Sequence, residues 1–209
     1  FIHDITTSQF RSKFENDILR MRGATGIGVI SDNEDQPLII GSHLGTYAIV
    51  TVGVIQNLAA LTQAAFGKRT THFSEMSGGK INPTELVATL INRESSFVKG
   101  IRSAQKLIEG SCSILILAPD GLYAARDRLG RTPVVIGRKA GSHAVAMESS
   151  AFPNLGYETA RYLGPGEIVR VTGSRVQQKL APGKRLQVCA FMWVYYGYPS
   201  SSYEGIGVE

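Results

Sequence analysis

Ten residues, Thr46 to Ile55, constrain the fold more than any others: "TYAIVTVGVI" is an almost unbroken apolar run rich in β-branched side chains. Such a run suits a strand covered on both faces, so this part of the chain belongs in the middle of a layered structure. It is also far shorter than the roughly 18 apolar residues that a membrane-spanning helix needs. The segments around it sort by period. "TGIGVI" and "PLIIGSHL" read as short strands before it. "QNLAALTQAAF", "NPTELVATLI" and "SSFVKGIRSAQKLIEG" then place Leu58, Leu61 and Ala65, next Leu86, Val87, Leu90 and Ile91, and next Phe97, Val98, Ile101, Leu107 and Ile108 on helical faces. Asn57 and Asn82 stand where helix caps are wanted, and Gly110 where the third helix should stop. From there "SILILAPDGLYAAR", "TPVVIG", "HAVAME", "EIVRVTG" and "RVQQKL" are short strands separated by Gly, Pro or Asp-Gly. Sheets with helices between them in sequence predict an α+β layered domain.

With 209 residues, 43% of them hydrophobic, the chain can bury a proper core. Its net charge of +5 is spread over separate segments and never gathers into a basic run with interleaved aromatics, which argues against a nucleic-acid partner. The N-terminus "FIHDITTSQFRSKFENDILR" has neither signal nor transit character, so no membrane partner and a cytoplasmic location are expected. Cys112 lies inside the apolar pattern "SCSILILA", as a buried thiol would. The four histidines have no helical pairing and no nearby cysteine, so neither a metal nor any other cofactor is expected.

One loop does not fit a plain hairpin. "ARDRLGRTPVVIG" puts three arginines and an aspartate between two apolar runs, where two turn residues would do. It resembles the R-D-P-x-G-I-R-P-L-x-x-G loop of the glutamine phosphoribosylpyrophosphate amidotransferases. Downstream, "AMESSAF" resembles that family's A-S-E-S-x-A-L, "YLGPGEIVRV" its P-G-E motif, and "VCAFMWVYYGYPSS" its C-I-F-E-Y-V-Y-F-A-R-P-D-S stretch. Upstream, "KINPTELVATLI" is similar to the S-D-S-E helix start, "YAIVTVGVIQN" to l-A-H-N-G, and "GATGIGVISDNEDQPLII" to G-H-T-R-Y-S-T followed by A-Q-P. The likeness runs from about Gly23 to Glu209. A rival alignment of "RMRGATGIGVI" with the family's H-R-G motif leaves too short a distance to "TVGVIQN".

The resemblance implies a four-layer αββα sandwich of the N-terminal-nucleophile hydrolases. It implies a glutamine amidotransferase type 2-like domain over 1–197, and a linker over 198–209 leading into a phosphoribosyltransferase domain. Glutamine would be the substrate, its ammonia passing to phosphoribosyl pyrophosphate in purine biosynthesis, and a homo-oligomer is compatible with it. The family's nucleophile is an N-terminal cysteine, which attacks the glutamine amide and forms a thioester as ammonia leaves. That residue is left undetermined here.

The pocket motifs are changed. The arginine that would pair with the glutamine carboxylate falls on Gly26, followed by Ile27 and Gly28, and the oxyanion asparagine falls on Val52. Gly53 is kept and could offer a backbone N–H to the oxyanion. The aspartate that would hold the glutamine amino group falls on Pro83, which suits the first helical position but has neither charge nor acceptor to offer a ligand amine. Two readings therefore stay open: a glutaminase domain of an amidophosphoribosyltransferase with its activity lost or incomplete, or a binding or regulatory module derived from one. The charged loop likewise has two readings, a buried Arg126–Asp127 interaction with a turn at Gly130, or a solvated hairpin tip. Cys189 stands where some family members ligate an iron–sulfur cluster, though a plain core cysteine fits as well.

Overall fold

The computed structural model describes residues 2–3, 10–31, 34–66, 76–77 and 80–208. Helix α1 (Phe10–Ile18) comes first, then strands β1 (Leu38–Ser42) and β2 (Gly45–Val52), helix α2 (Leu58–Phe66) and the short strands β3 (Met76–Ser77) and β4 (Lys80–Ile81). Helices α3 (Pro83–Ile91) and α4 (Phe97–Leu107) follow, then β5 (Ser113–Ala118), β6 (Gly121–Ala125), β7 (Val135–Lys139) and β8 (Ser142–Ala146). The chain closes with β9 (Glu158–Tyr162), β10 (Ile168–Val171), β11 (Val176–Leu180) and a small hairpin, β12 (Ser202–Tyr203) and β13 (Ile206–Gly207). Among the described residues no helix is long and apolar enough to cross a membrane.

The main sheet has six strands in the order β1-β2-β5-β6-β10-β11, every neighbouring pair antiparallel. The apolar run from Thr46 supplies its second strand, with Ile49 and Val50 both buried although they point to opposite faces. On one face Tyr47, Ile49, Ile114, Ile116, Ala125 and Ile168 form a core with α3 and α4 through Val87, Leu90, Ile91, Ile101 and Ala104. Leu61 of α2 joins this core, so the helices after Asn57 and Asn82 share one outer face of the sheet. On the other face Ala124, Val169 and Val171 meet Ile136 of a second, three-stranded sheet, β8-β7-β9, and Val134 and Leu163, which flank its strands β7 and β9. Beyond that sheet lie two single turns of 3-10 helix, Ser149–Ala151 and Pro153–Leu155. Phe152 between them packs so close to Gly137 that a Cβ there would sit 2.9 Å from its ring.

Several local expectations are corrected. "TGIGVI" is not a strand. Asn57 does not cap α2: its amide donates to the Leu107 carbonyl at 2.9 Å and its oxygen accepts from Glu109 N–H at 3.0 Å, tying the end of α4 to the main sheet's rim. Asn82 does cap α3, accepting from Thr84 and Glu85 N–H with Pro83 at the first position. Helix α4, expected to stop at Gly110, ends at Leu107, three residues earlier.

The charged loop is interior, with Arg126 and Asp127 only 2% and 3% exposed, so the solvated tip is ruled out. Arg126 and Asp127 do not pair with each other, however. Arg126 donates to the Leu163 and Gly130 carbonyls and to Glu204, whereas Asp127 accepts from the N–H groups of Cys112, Leu129 and Arg131. Gly130, at φ +76, makes the turn that closes this loop. Residues read as linker are packed down: Ser201 and Tyr203 are buried.

Candidate functional site

Helix α3 starts beside the end of β2, which brings the motif positions of both segments into one neighbourhood. Thr51 and Thr84, each buried, share a hydroxyl–hydroxyl hydrogen bond of 2.6 Å. Gln36 spans the gap next to them, accepting from Thr51 N–H at 2.8 Å and donating to the Thr51 carbonyl at 3.2 Å and the Glu34 carboxylate at 2.9 Å. Thr84 Oγ1 also reaches Glu34 at 3.4 Å, and Asn82 Nδ2 donates to the Asp35 carbonyl at 3.1 Å. Burial raises the Glu34 carboxyl above its ordinary pKa, opposed by the bond from Thr84. A hydroxyl inside an otherwise apolar strand needs a partner, and that was the one sequence signal for Thr51.

This network engages the groups that the start of α3 could otherwise offer. The first turn of a helix presents free N–H groups, but here Pro83 has none, and the Thr84 and Glu85 N–H groups are both turned to Asn82 Oδ1 at 2.9 and 3.4 Å. Val52 adds only a hydrocarbon side chain. Gly26 is exposed, with nothing within 4 Å of a Cβ placed on it. Gly53, at φ +143, sits so tightly against the next segment that a Cβ would lie 2.2 Å from the Ser111 carbonyl oxygen. The glycine therefore has a packing reason to be there.

The neighbouring open space is a cavity of about 1070 Å³. Phe14 and Ile18 of α1, Ile27, Val145 and Met147 supply apolar wall, and Glu34 and Glu148 supply carboxylates. At its rim His3 Nε2 lies 2.5 Å from Asp17 Oδ2. Gly28 lines the cavity, but Gly26, Val52, Gly53 and Pro83 do not. Of the positions matched to a glutamine pocket, Val52, Gly53 and Pro83 gather at the Thr51–Thr84 contact, and Gly26 adds no functional group.

Neither cysteine makes up a catalytic centre with them. Burial, with Asp127 and Glu34 adding to it, pushes the Cys112 thiol up to about 12. At neutral pH only about one molecule in 10⁵ would carry the thiolate that attacks carbonyls. A disulfide-exchange reagent at pH 7 is therefore expected to label Cys189, which is partly exposed, and to leave Cys112 untouched until the chain unfolds. Equal labelling of both in the native protein would refute this.

Residues 22–154, more than half of the chain, match the family model described as a glutamine amidotransferase domain. The chain belongs to this glutamine amidotransferase family. Among similar curated proteins, the amidophosphoribosyltransferase of Archaeoglobus fulgidus is 24% identical over 94% of this chain and 49% of its own length. That of Methanothermobacter thermautotrophicus is 32% identical over 60% of this chain and 27% of its own, and that of Escherichia coli 26% identical over 90% and 42%. The chain thus spans less than half the length of these relatives. In three dimensions it is similar to the B. subtilis glutamine phosphoribosylpyrophosphate amidotransferase solved with ADP and GMP, with a TM-score of 0.73 and 24% identity over 84% of this chain and 38% of that one. This likeness shows the fold and is in keeping with the expected αββα sandwich. In the amidotransferase domain described here, the outer layer over the three-stranded sheet consists of 3-10 turns.

Proposed function

We propose that this chain is the glutaminase-fold domain of an amidophosphoribosyltransferase homologue, and that its described residues do not support glutamine hydrolysis. One observation carries this reading: the groups left at the aligned pocket positions are committed to each other. Thr51 and Thr84 close on one another at 2.6 Å, and Asn82 takes both available N–H groups of the α3 start. A glutamine placed there would find no guanidinium at position 26 for its carboxylate and no aspartate at position 83 for its ammonium group, and the nearby Glu34 carboxylate already accepts from Gln36. Absence of the oxyanion side chain alone is expected to lower the rate by about 10² to 10³. In the wider reading, still a proposal, the domain is joined to a phosphoribosyltransferase domain, and the whole protein serves purine biosynthesis in the cytoplasm.

Ammonia release from glutamine by this chain is therefore expected to stay at the blank level, and calorimetric titration with glutamine is expected to show no heat of binding. Turnover at rates usual for an enzyme, of order 1 to 10³ per second, would overturn the proposal. Gly26→Arg, Val52→Asn and Pro83→Asp, made one at a time, should not restore binding, because the parts of such a site act together. The alternative, a ligand-binding module, is favoured by the cavity with its Glu34 and Glu148 carboxylates.

A further inference from the structure

The C-terminal hairpin contains a local contradiction. Its strands pair Ser202 with Gly207 and Tyr203 with Ile206, leaving Glu204 and Gly205 as a two-residue turn. Both have positive φ, +54 and +79, as a type I′ turn requires. Asn-Gly is the usual choice there, and Glu204 is the one non-glycine residue at positive φ among the described residues. A side chain that disfavours this backbone needs another reason to occupy it.

The reason lies beneath the turn. The Glu204 carboxylate meets Arg126, whose side chain is only 3% exposed. Two of the other Arg126 contacts are neutral carbonyls, of Leu163 and Gly130, and its Nε has no partner. Among the described ion pairs, Glu204 is thus the counter-charge of a buried guanidinium, and it comes from 78 residues further along the chain. The hairpin in turn holds the helical segment Met192–Tyr196: Trp193 Nε1 donates to the Ile206 carbonyl at 3.2 Å, and its ring meets Tyr203 edge-on at 5.4 Å. That segment turns Val194, Tyr195 and Tyr196 outward. Ser201 and Ser202 are fixed separately, by Glu148 and Ser150 and by Ser149 and Tyr162. Val208 N–H is tied back to the Ser201 carbonyl at 3.0 Å, so the part that depends on Glu204 is the hairpin tip from Tyr203 to Gly207, with Trp193 resting on it.

We propose that Glu204 is a latch: its carboxylate, held at an unfavourable backbone angle, closes the C-terminal hairpin onto Arg126 and so sets how the Met192–Tyr196 aromatic segment is presented. Releasing it frees the hairpin tip and Trp193 while the sandwich stays intact.

Turn chemistry and the latch give opposite signs for the same substitutions. Glu204→Gly and Glu204→Asn both suit positive φ better than Glu does, so a mere turn residue would leave the hairpin as tight or tighter. The latch requires them to open it. Trp193 is the single tryptophan of the chain and reports directly. In both variants of the full chain, the tryptophan emission should shift to longer wavelength. Chymotryptic cleavage within 191–203 should become about tenfold faster or more, since cleavage follows the population of the open form, while far-UV circular dichroism stays unchanged. Unchanged emission with unchanged or slower cleavage in both variants would overturn the proposal. Loss of far-UV signal together with the emission shift would also overturn it, because the contact would then hold the body and not the hairpin alone.

Discussion

Asp127→Ala is expected to lower the free energy of unfolding by about 3–5 kcal/mol, among the largest effects of any single side chain here. The carboxylate accepts from three backbone N–H groups, those of Cys112 at 3.3 Å, Leu129 at 3.1 Å and Arg131 at 3.0 Å. It is 3% exposed, so water cannot easily replace it. Each buried donor left without an acceptor costs about 1–3 kcal/mol, and hydrogen bonds to a charged acceptor lie at the stronger end. The residue also joins the two ends of the β5–β6 hairpin to the loop beyond it. Its own N–H donates to Ser113 Oγ at 3.0 Å, and that hydroxyl donates to the Thr132 carbonyl at 3.1 Å. Loss of the carboxylate therefore loosens Cys112, Leu129 and Arg131 at once. Asp127→Asn should lose less, because one amide oxygen can still accept while the NH₂ faces a donor. Urea unfolding of both variants, with exposed Arg138→Ala as a control expected within about 0.5 kcal/mol of the parent, measures this. A loss below about 1 kcal/mol for Asp127→Ala would mean that the loop behaves as a solvated tip in spite of its burial.

The interior of the main sheet and helices α3 and α4 were legible in the sequence because burial leaves a period: Ile114 and Ile116 on one face, Leu115 on the other, and Leu86, Leu90 and Ile91 along one helical side. Strand β9, "ETARY", was not, since four of its five residues are exposed at a sheet edge and no apolar alternation marks it. The packing of the tail was not legible, for a different reason. Gly, Pro and Ser gave it a linker's composition, but a few distant contacts, Ser201 to Glu148 and Glu204 to Arg126, pack it down, and contacts of that kind leave no local pattern. In the site, the motif order named Val52 and Pro83 as positions of one pocket. It could not reveal that Thr51 and Thr84, 33 residues apart, bond each other, because neither hydroxyl stands out until the strand and helix are packed. The pattern of Arg126 and Asp127 conveyed burial but not partners: a buried guanidinium can be satisfied by carbonyl oxygens as well as by the adjacent carboxylate.

Gly53→Ala is expected to cost about 3 kcal/mol or more, and it decides what this glycine is for. Two effects add. At φ +143 the backbone lies where an alanine is strained regardless of space. The new Cβ would also stand 2.2 Å from the Ser111 carbonyl oxygen and 2.6 Å from its carbon, and these are backbone atoms that cannot rotate aside. Nor is the crowding local to one residue. Ser111 N–H donates to the Val54 carbonyl at 2.9 Å, Gln56 N–H to the Glu109 carbonyl at 2.8 Å, and Gly110 approaches Val54 so closely that a Cβ there would lie 2.0 Å from its oxygen. The chain leaving β2 and the chain entering β5 are thus held against each other by two glycines facing across the contact. Moving one strand end to admit a methyl group would pull on the β2–β5 pairing from Val52 and Ser113 inward. Gly41→Ala in β1, where nothing lies within 4 Å and φ is not positive, should change stability by no more than about 0.5 kcal/mol and serves as the control. If urea unfolding finds Gly53→Ala within about 1 kcal/mol of the parent, packing does not demand the glycine. Its persistence beside Val52 would then point back to an N–H kept free for an oxyanion. A loss of the expected size shows that the sandwich itself requires a glycine at this point, whether or not a glutamine binds beside it.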